Sequence, residues 1–163
     1  MLAEDLQNLP KAYDPTLIES EIYKLWEDNN CFKADAASQK KPYSIVIPPP
    51  NVTGVLHMGH ALDGSLQDIL IRYYRMKGYE TLWLPGTDHA GIATQNVVEK
   101  NLREKGTSRF ELGREKFLEI VWEWANEHKS AILNQFKRLG ASFDLSRERF
   151  TFDDGCSNAV KEV

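Results

Sequence analysis

Apolar and polar positions along the chain follow two different periods, and the switches between them mark the elements. Tyr43-Ser44-Ile45-Val46-Ile47 is a short β-branched run of the kind that forms a buried strand. Leu62, Leu66, Ile69, Tyr73 and Met76 then recur at alternating steps of four and three, the stripe of an amphipathic helix that Gly78 ends. Tyr79 to Leu84 reads as a second apolar strand, with Trp83 as a core residue, and Pro85-Gly86 ends it. Strand, helix and strand predict a βαβ unit: a parallel pair with a right-handed crossover.

The flanks follow the same logic. Asp14-Pro15 combines an acidic N-cap with proline at the first helical position. Ile18, Ile22, Leu25 and Trp26 then predict a stripe that packs on the main body, and 32–41 reads as a surface connection. Helices are expected over 92–105 and 113–139, the second carrying Phe117, Val121, Trp124, His128, Ile132, Phe136 and Leu139 along one side. The stretch 141–151 reads as a loop or short extended piece, and Asp153 or Asp154 as the cap of a last helix. That helix meets no stop signal before Val163, which suggests a chain cut within an element.

Composition narrows the class without naming a function. With 163 residues, 42% hydrophobic and 27% charged, the chain is one globular domain or part of one. Its formal net charge of −4 gives no overall footprint for nucleic acid, so an RNA partner would bind mostly elsewhere. Cys31 and Cys156 show neither metal-ligand spacing nor a disulfide framework, so no structural metal is expected. No basic-then-apolar leader follows Met1 and no apolar run reaches membrane-spanning length, so the expectation is a soluble, cytoplasmic protein with no membrane partner.

The chemistry concentrates in Pro48-Pro49-Pro50-Asn51-Val52-Thr53-Gly54-Val55-Leu56-His57-Met58-Gly59-His60, between the first strand and its helix. Exposed N–H groups at a helix start attract phosphate. Gly59 lets a flat base approach the backbone, and His57 and His60 share a helical face from which both can donate to phosphate oxygens. A plain strand-to-helix turn with two capping or core histidines is the competing reading. ATP brings roughly four negative charges against about half a positive unit at a helix N-terminus. Mg²⁺ and a lysine or arginine should share that load, and no lysine-rich loop follows. In parallel sheets ligands sit beyond the carboxyl ends of the strands, which sets 86–91 against the same crevice. There Asp88 is either the holder of a substrate ammonium group or an N-cap or Asx-turn acid.

The proline-rich motif, followed by Trp83-Leu84-Pro85-Gly86-Thr87-Asp88-His89-Ala90-Gly91-Ile92-Ala93-Thr94-Gln95, closely resembles the class I aminoacyl-tRNA synthetases, and within them the valine-specific branch. The resemblance implies an α/β fold: residues 43–163 as the first half of a Rossmann-like parallel-sheet nucleotide-binding domain, truncated at its C-terminus, and 1–42 as an N-terminal helical extension. It implies activation of valine by ATP with Mg²⁺, transfer to tRNA(Val), and a monomeric full-length enzyme. By position, His57, Gly59 and His60 match the element that binds ATP and stabilises the pentacovalent phosphate, with Thr53 and Gly54 on its approach. Asp88 matches the acid that holds the amino group, and Pro49 and Asn51 match residues beside that pocket. Members of the family are several times longer, with a second nucleotide-fold half bearing a lysine loop and with editing and anticodon-binding domains. The isolated segment is therefore expected to be inactive. Two alternatives stand beside this: an adenylate-binding module without catalysis, and a small nucleotidyltransferase with the same His-x-Gly-His turn.

Overall fold

The computed structural model describes residues 12–163. The leaderless reading of Met1 to Asp5 lies outside the described residues. The described chain divides into two compact units, split between Cys31 and Phe32.

In the first unit, the Asp14 carboxylate accepts the Thr16 N–H at 3.0 Å and opens a single 3-10 turn, Pro15–Leu17, with the proline at its start. Helix α1, Glu19–Asp28, follows with Ile18 as its N-cap. The expected stripe is not the shielded one: Ile18, Ile22 and Leu25 are exposed, whereas Tyr23 is buried and meets Trp26 edge-on at 5.8 Å. Tyr23 and Trp26 lie three apart on one face, and their rings remove more area from water than the aliphatic side chains do.

The second unit is built on one extended segment, 80–88. Strand β1, Pro42–Val46, pairs in parallel with β2, Glu80–Leu84, placing Ile45 opposite Trp83, and helix α2, Met58–Met76, connects them. Further on, β3, Gly86–Thr87, pairs in parallel with β4, Arg149–Phe150. Hydrogen bonds alternate along the segment: Leu84 O accepts from Ile47 and Asp88 O from Val52, while Trp83, Pro85 and Thr87 carbonyls accept from Asp144, Arg149 and Thr151. In a parallel ladder successive residues face opposite neighbours, so 80–88 is the middle of three segments. Pro85 separates β2 from β3 because it has no N–H for the ladder. At Gly86 a Cβ would stand 3.0 Å from the Arg149 carbonyl oxygen, tighter than an ordinary contact, so a side chain there would press on β4. The stretch 141–151 is therefore both: a loop with a 3-10 turn at Leu145–Arg147, ending in the two-residue extended piece Arg149–Phe150.

In helix α2 the apolar stripe is not the buried face. Leu62, Leu66, Ile69, Tyr73 and Met76, the periodic stripe, are all exposed, from 44% to 81%. The buried positions are Gly64 and Ile71, and the inward face is otherwise polar. Gln67 Oε1 accepts the Trp83 indole N–H at 2.9 Å. Asp68 Oδ1 accepts the Ser142 N–H at 2.9 Å, and Arg72 donates to Gly140 O at 2.7 Å. Asp68 and Arg72 thereby pair the Ser142 N–H and the Gly140 carbonyl of the 140–142 turn. The period was readable, but its phase was set by that turn.

Trp83 and Phe143 meet edge-on at 5.4 Å in the main core, which also holds Ile71, Ile132, Phe136 and the turn residue Val52. A smaller cluster of Val98, Leu102 and Phe117 joins α3, Ile92–Glu104, to the long helix α5, Arg114–Arg138. Leu139, expected on the inner side of α5, lies at its C-cap and is exposed. The four-residue helix α4, Arg109–Leu112, capped by Ser108, is too short to show a period. Asp153 caps α6, Asp154–Glu162, by accepting the Cys156 N–H at 2.8 Å.

The polar inner face of α2 has a measurable consequence. Ile71→Ala is expected to cost about 2–5 kcal/mol, as a buried truncation does. Leu66→Ser, on the exposed stripe, should stay within about 0.5 kcal/mol. Urea unfolding of the two variants checks this; a loss for Leu66→Ser as large as for Ile71→Ala would place the stripe in the core.

Candidate functional site

The backbone joins the two motifs directly. Asp88 N–H donates to Pro50 O at 2.8 Å, and Val52 N–H donates to Asp88 O at 2.9 Å. This isolated bridge, with Asn51 opposite Asp88, carries the pairing of β1 and β2 past the proline run to the end of the middle segment. Proline suits that run because its fixed φ holds the chain extended without a need for donors. Pro50 is buried, whereas Pro49 and Asn51 are exposed.

The turn that follows is fastened from α5. The Trp124 indole N–H donates to Val52 O at 3.0 Å, and Gln135 Oε1 accepts the Leu56 N–H at 2.8 Å. Trp124 also stacks on His128 at 4.1 Å, so its packing role is real, but it positions the turn as well. Thr53 and Gly54 lie between these two ties, half-buried, and a Cβ on Gly54 would meet nothing within 4 Å.

At the start of α2 the two histidines cap the helix. His57 is the N-cap residue, and its Nδ1 accepts the Gly59 N–H at 3.1 Å. His60 Nδ1 in turn accepts the His57 N–H at 3.2 Å, and the two rings lie 3.9 Å apart. A neutral imidazole that accepts at Nδ1 carries its proton on Nε2. Each ring therefore presents an Nε2–H donor, and neither Nε2 is hydrogen-bonded among the described residues. Gly59 fits for a reason the sequence did not show: a Cβ there would stand 2.9 Å from His57 Cε1, so the missing side chain makes room for that ring.

His60 titrates below the ordinary histidine value of 6.5, chiefly because partial burial disfavours its charged form, with the neighbouring His57 adding to this and Asp63 opposing it. The neutral form is also the one that can accept the His57 N–H.

Asp88 divides its carboxylate in the same manner. Its Oδ1 accepts the Ala90 N–H at 2.8 Å and the Thr151 hydroxyl at 3.0 Å. The first is an Asx turn, and it holds Ala90 at a φ of +53°, a region L-residues rarely adopt. Oδ2 takes no hydrogen bond among the described residues, and the side chain is 36% exposed. His89 supports this corner: its N–H donates to Thr151 Oγ1 at 2.9 Å and its ring stacks on Phe152 at 5.0 Å.

All eight positions singled out from sequence thus lie on two segments tied by the Asn51–Asp88 bridge: Pro49, Asn51, Thr53, Gly54, His57, Gly59 and His60 on one, Asp88 on the other. Sequence reasoning missed Trp124, Gln135 and Thr151. A buried indole N–H signals that a partner exists, but nothing in the sequence says which carbonyl it meets. No group of three or more His, Cys, Asp or Glu side chains able to hold a metal ion occurs among the described residues. Nor is any helix among them long and apolar enough to cross a membrane.

The lowered His60 value carries a sign. The group is depressed in the folded chain, so its contribution to stability is present above about pH 6.5 and is lost as pH falls through the folded value. Titration of the imidazole carbon-bound protons by NMR should give His60 a midpoint below 6.5. A midpoint at or above that value would contradict the neutral, capping role.

Comparison with known proteins gives the family. Residues 21–163 match the family model of tRNA synthetases class I (I, L, M and V). A valine–tRNA ligase from Syntrophotalea carbinolica is 63% identical over 95% of the chain, one from Geobacter sulfurreducens 62% over 96%, and one from Lactiplantibacillus plantarum 58% over 100%. The chain spans only 17–18% of the length of these relatives. Among solved structures, the LeuRS–tRNA–LeuAMS ternary complex of Agrobacterium radiobacter contains a chain that superposes with a TM-score of 0.76 at 21% identity. That match covers 93% of this chain and 18% of the other, and it supports the partial Rossmann-like α/β fold. The chain belongs to the class I tRNA synthetases of the I, L, M and V group.

Proposed function

We propose that this chain is the N-terminal part of the catalytic domain of a valine–tRNA ligase, with 43–163 as the first half of the nucleotide-binding fold. The whole protein would activate valine with ATP and transfer it to tRNA(Val), acting in the cytoplasm as a monomer. One observation carries the reading: the Asn51–Asp88 backbone bridge ties a residue with one carboxylate oxygen free of hydrogen bonds, among the described residues, to the turn that leads to two imidazole donors. The valine–tRNA ligases at 58–63% identity support the choice of amino acid.

In this reading Asp88 Oδ2 receives the ammonium group of valine, while Pro49 and Asn51 border its pocket. The valine carboxylate attacks the α-phosphorus of ATP, and the bond to the β-phosphate oxygen breaks to release pyrophosphate. His57 and His60 donate from Nε2 to phosphate oxygens as negative charge builds on them, where donors already in place stabilise the transition state. Gly59 keeps the His57 ring in its capping position, and Thr53 and Gly54 lie on the approach. The adenylate then passes its valyl group to a ribose hydroxyl of the tRNA, and AMP leaves.

Mg²⁺ fits as an ion that arrives on the nucleotide. It commonly keeps waters and binds through phosphates with one or two carboxylates, so it requires no cluster of protein ligands. When bound it would neutralise phosphate charge.

Valine-dependent exchange of pyrophosphate into ATP, measured on the whole polypeptide encoded by the gene, tests the proposal. Asp88→Asn should raise KM for valine about 10- to 100-fold, the range of one hydrogen bond to a charged group. Equal exchange with leucine or isoleucine, or an unchanged KM for valine in the variant, would overturn it.

A further inference from the structure

Asp88 can serve a substrate only if its carboxylate is held in one orientation, and the structure shows what holds it. Thr151 Oγ1 lies 3.0 Å from Asp88 Oδ1, 2.9 Å from the His89 backbone nitrogen and 2.6 Å from His89 Nδ1. The ionised carboxylate oxygen has no proton, so the Thr151 hydroxyl donates to it. With its single proton used there, Oγ1 can only accept from the other two neighbours, which are the His89 N–H and a proton on His89 Nδ1. A His89 protonated on Nε2 alone would instead compete with Asp88 for the hydroxyl proton. The His89 ring is fixed in place by Phe152, stacked at 5.0 Å, and by Phe150, edge-on at 6.3 Å.

We infer that Thr151 is a positioning residue for amino-acid recognition. Its hydroxyl, oriented by His89, pins Oδ1 of Asp88 together with the Ala90 N–H and leaves Oδ2 to the substrate ammonium group. The inference rests on the reading of Asp88 given above. A role confined to the sheet would not need the hydroxyl, because the Thr151 N–H already donates to Thr87 O at 3.1 Å. Valine at this position would keep that bond and nearly the same volume. Thr151 reaches Asp88 only because β4 runs along the far side of the middle segment, opposite the 47–52 turn.

The test uses pyrophosphate exchange by the whole polypeptide with valine and ATP varied separately. Thr151→Val is expected to raise KM for valine about tenfold, leaving KM for ATP unchanged, and Thr151→Ser should restore the parent value. An unchanged KM for valine in Thr151→Val overturns the inference, and so does an equal rise in both KM values, which would mark a merely structural role. Exchange that is absent in the parent would instead defeat the reading of Asp88 itself. A second measurement does not depend on the variant folding: long-range proton–nitrogen NMR correlations of the parent should show His89 protonated at Nδ1. A neutral ring protonated at Nε2 overturns the proposal.

Discussion

Two backbone hydrogen bonds, between Asp88 and the turn at Pro50 and Val52, are the contacts on which the rest of the site depends. They bind the end of the middle segment to the proline-rich turn at the point where regular pairing of β1 and β2 has stopped. Without them the side-chain ties of the turn among the described residues would come from α5, by Trp124 and Gln135, and no hydrogen bond among those residues would join it to Asp88. On the opposite edge, Arg149 and Thr151 bond to Pro85 and Thr87, so the segment is held from both sides at its carboxyl end. That end is where a parallel sheet presents its ligand crevice.

The chemistry of the site rests on groups that use one atom for structure and keep another free. Nδ1 of His57 and of His60 closes the start of α2, which fixes the tautomer and leaves Nε2–H as a donor. Oδ1 of Asp88 closes its own turn and leaves Oδ2. Capping and the proposed function are therefore not rival explanations here. The capping bonds orient the side chains before a ligand arrives, so less ordering remains to be done on binding.

The local elements were legible in the sequence because each carries its own signal. The strand at 43–47, the helix ended by Gly78 and the long helix after Gly113 follow from period and capping chemistry, which also narrows the last cap to Asp153 or Asp154, whereas Asp14 opens a 3-10 turn and leaves Ile18 at the start of α1. The motif residues were legible for the same reason, as His57, Gly59 and His60 are close together in the chain. What was not legible depends on distant partners. The stripe Leu62–Leu66–Ile69–Tyr73–Met76 has the right period and is exposed, because Gln67, Asp68 and Arg72 reach groups at Trp83, Gly140 and Ser142. Thr151 gave no sign of its role, since its contact with Asp88 spans 63 positions. Periodicity reports that a face exists, while long-range polar contacts decide which face turns inward.

Amide hydrogen exchange, followed residue by residue, tests the central claim that the middle segment and both flanking segments act as one body up to Asp88. The amides of Val52, Asp88 and Thr151 should exchange as slowly as the Ile47 amide, which bonds to Leu84 O within the sheet core. Fast exchange at Val52 and Asp88, with Ile47 still protected, would show that the turn opens on its own. It would contradict the claim that the two motifs are held on one frame.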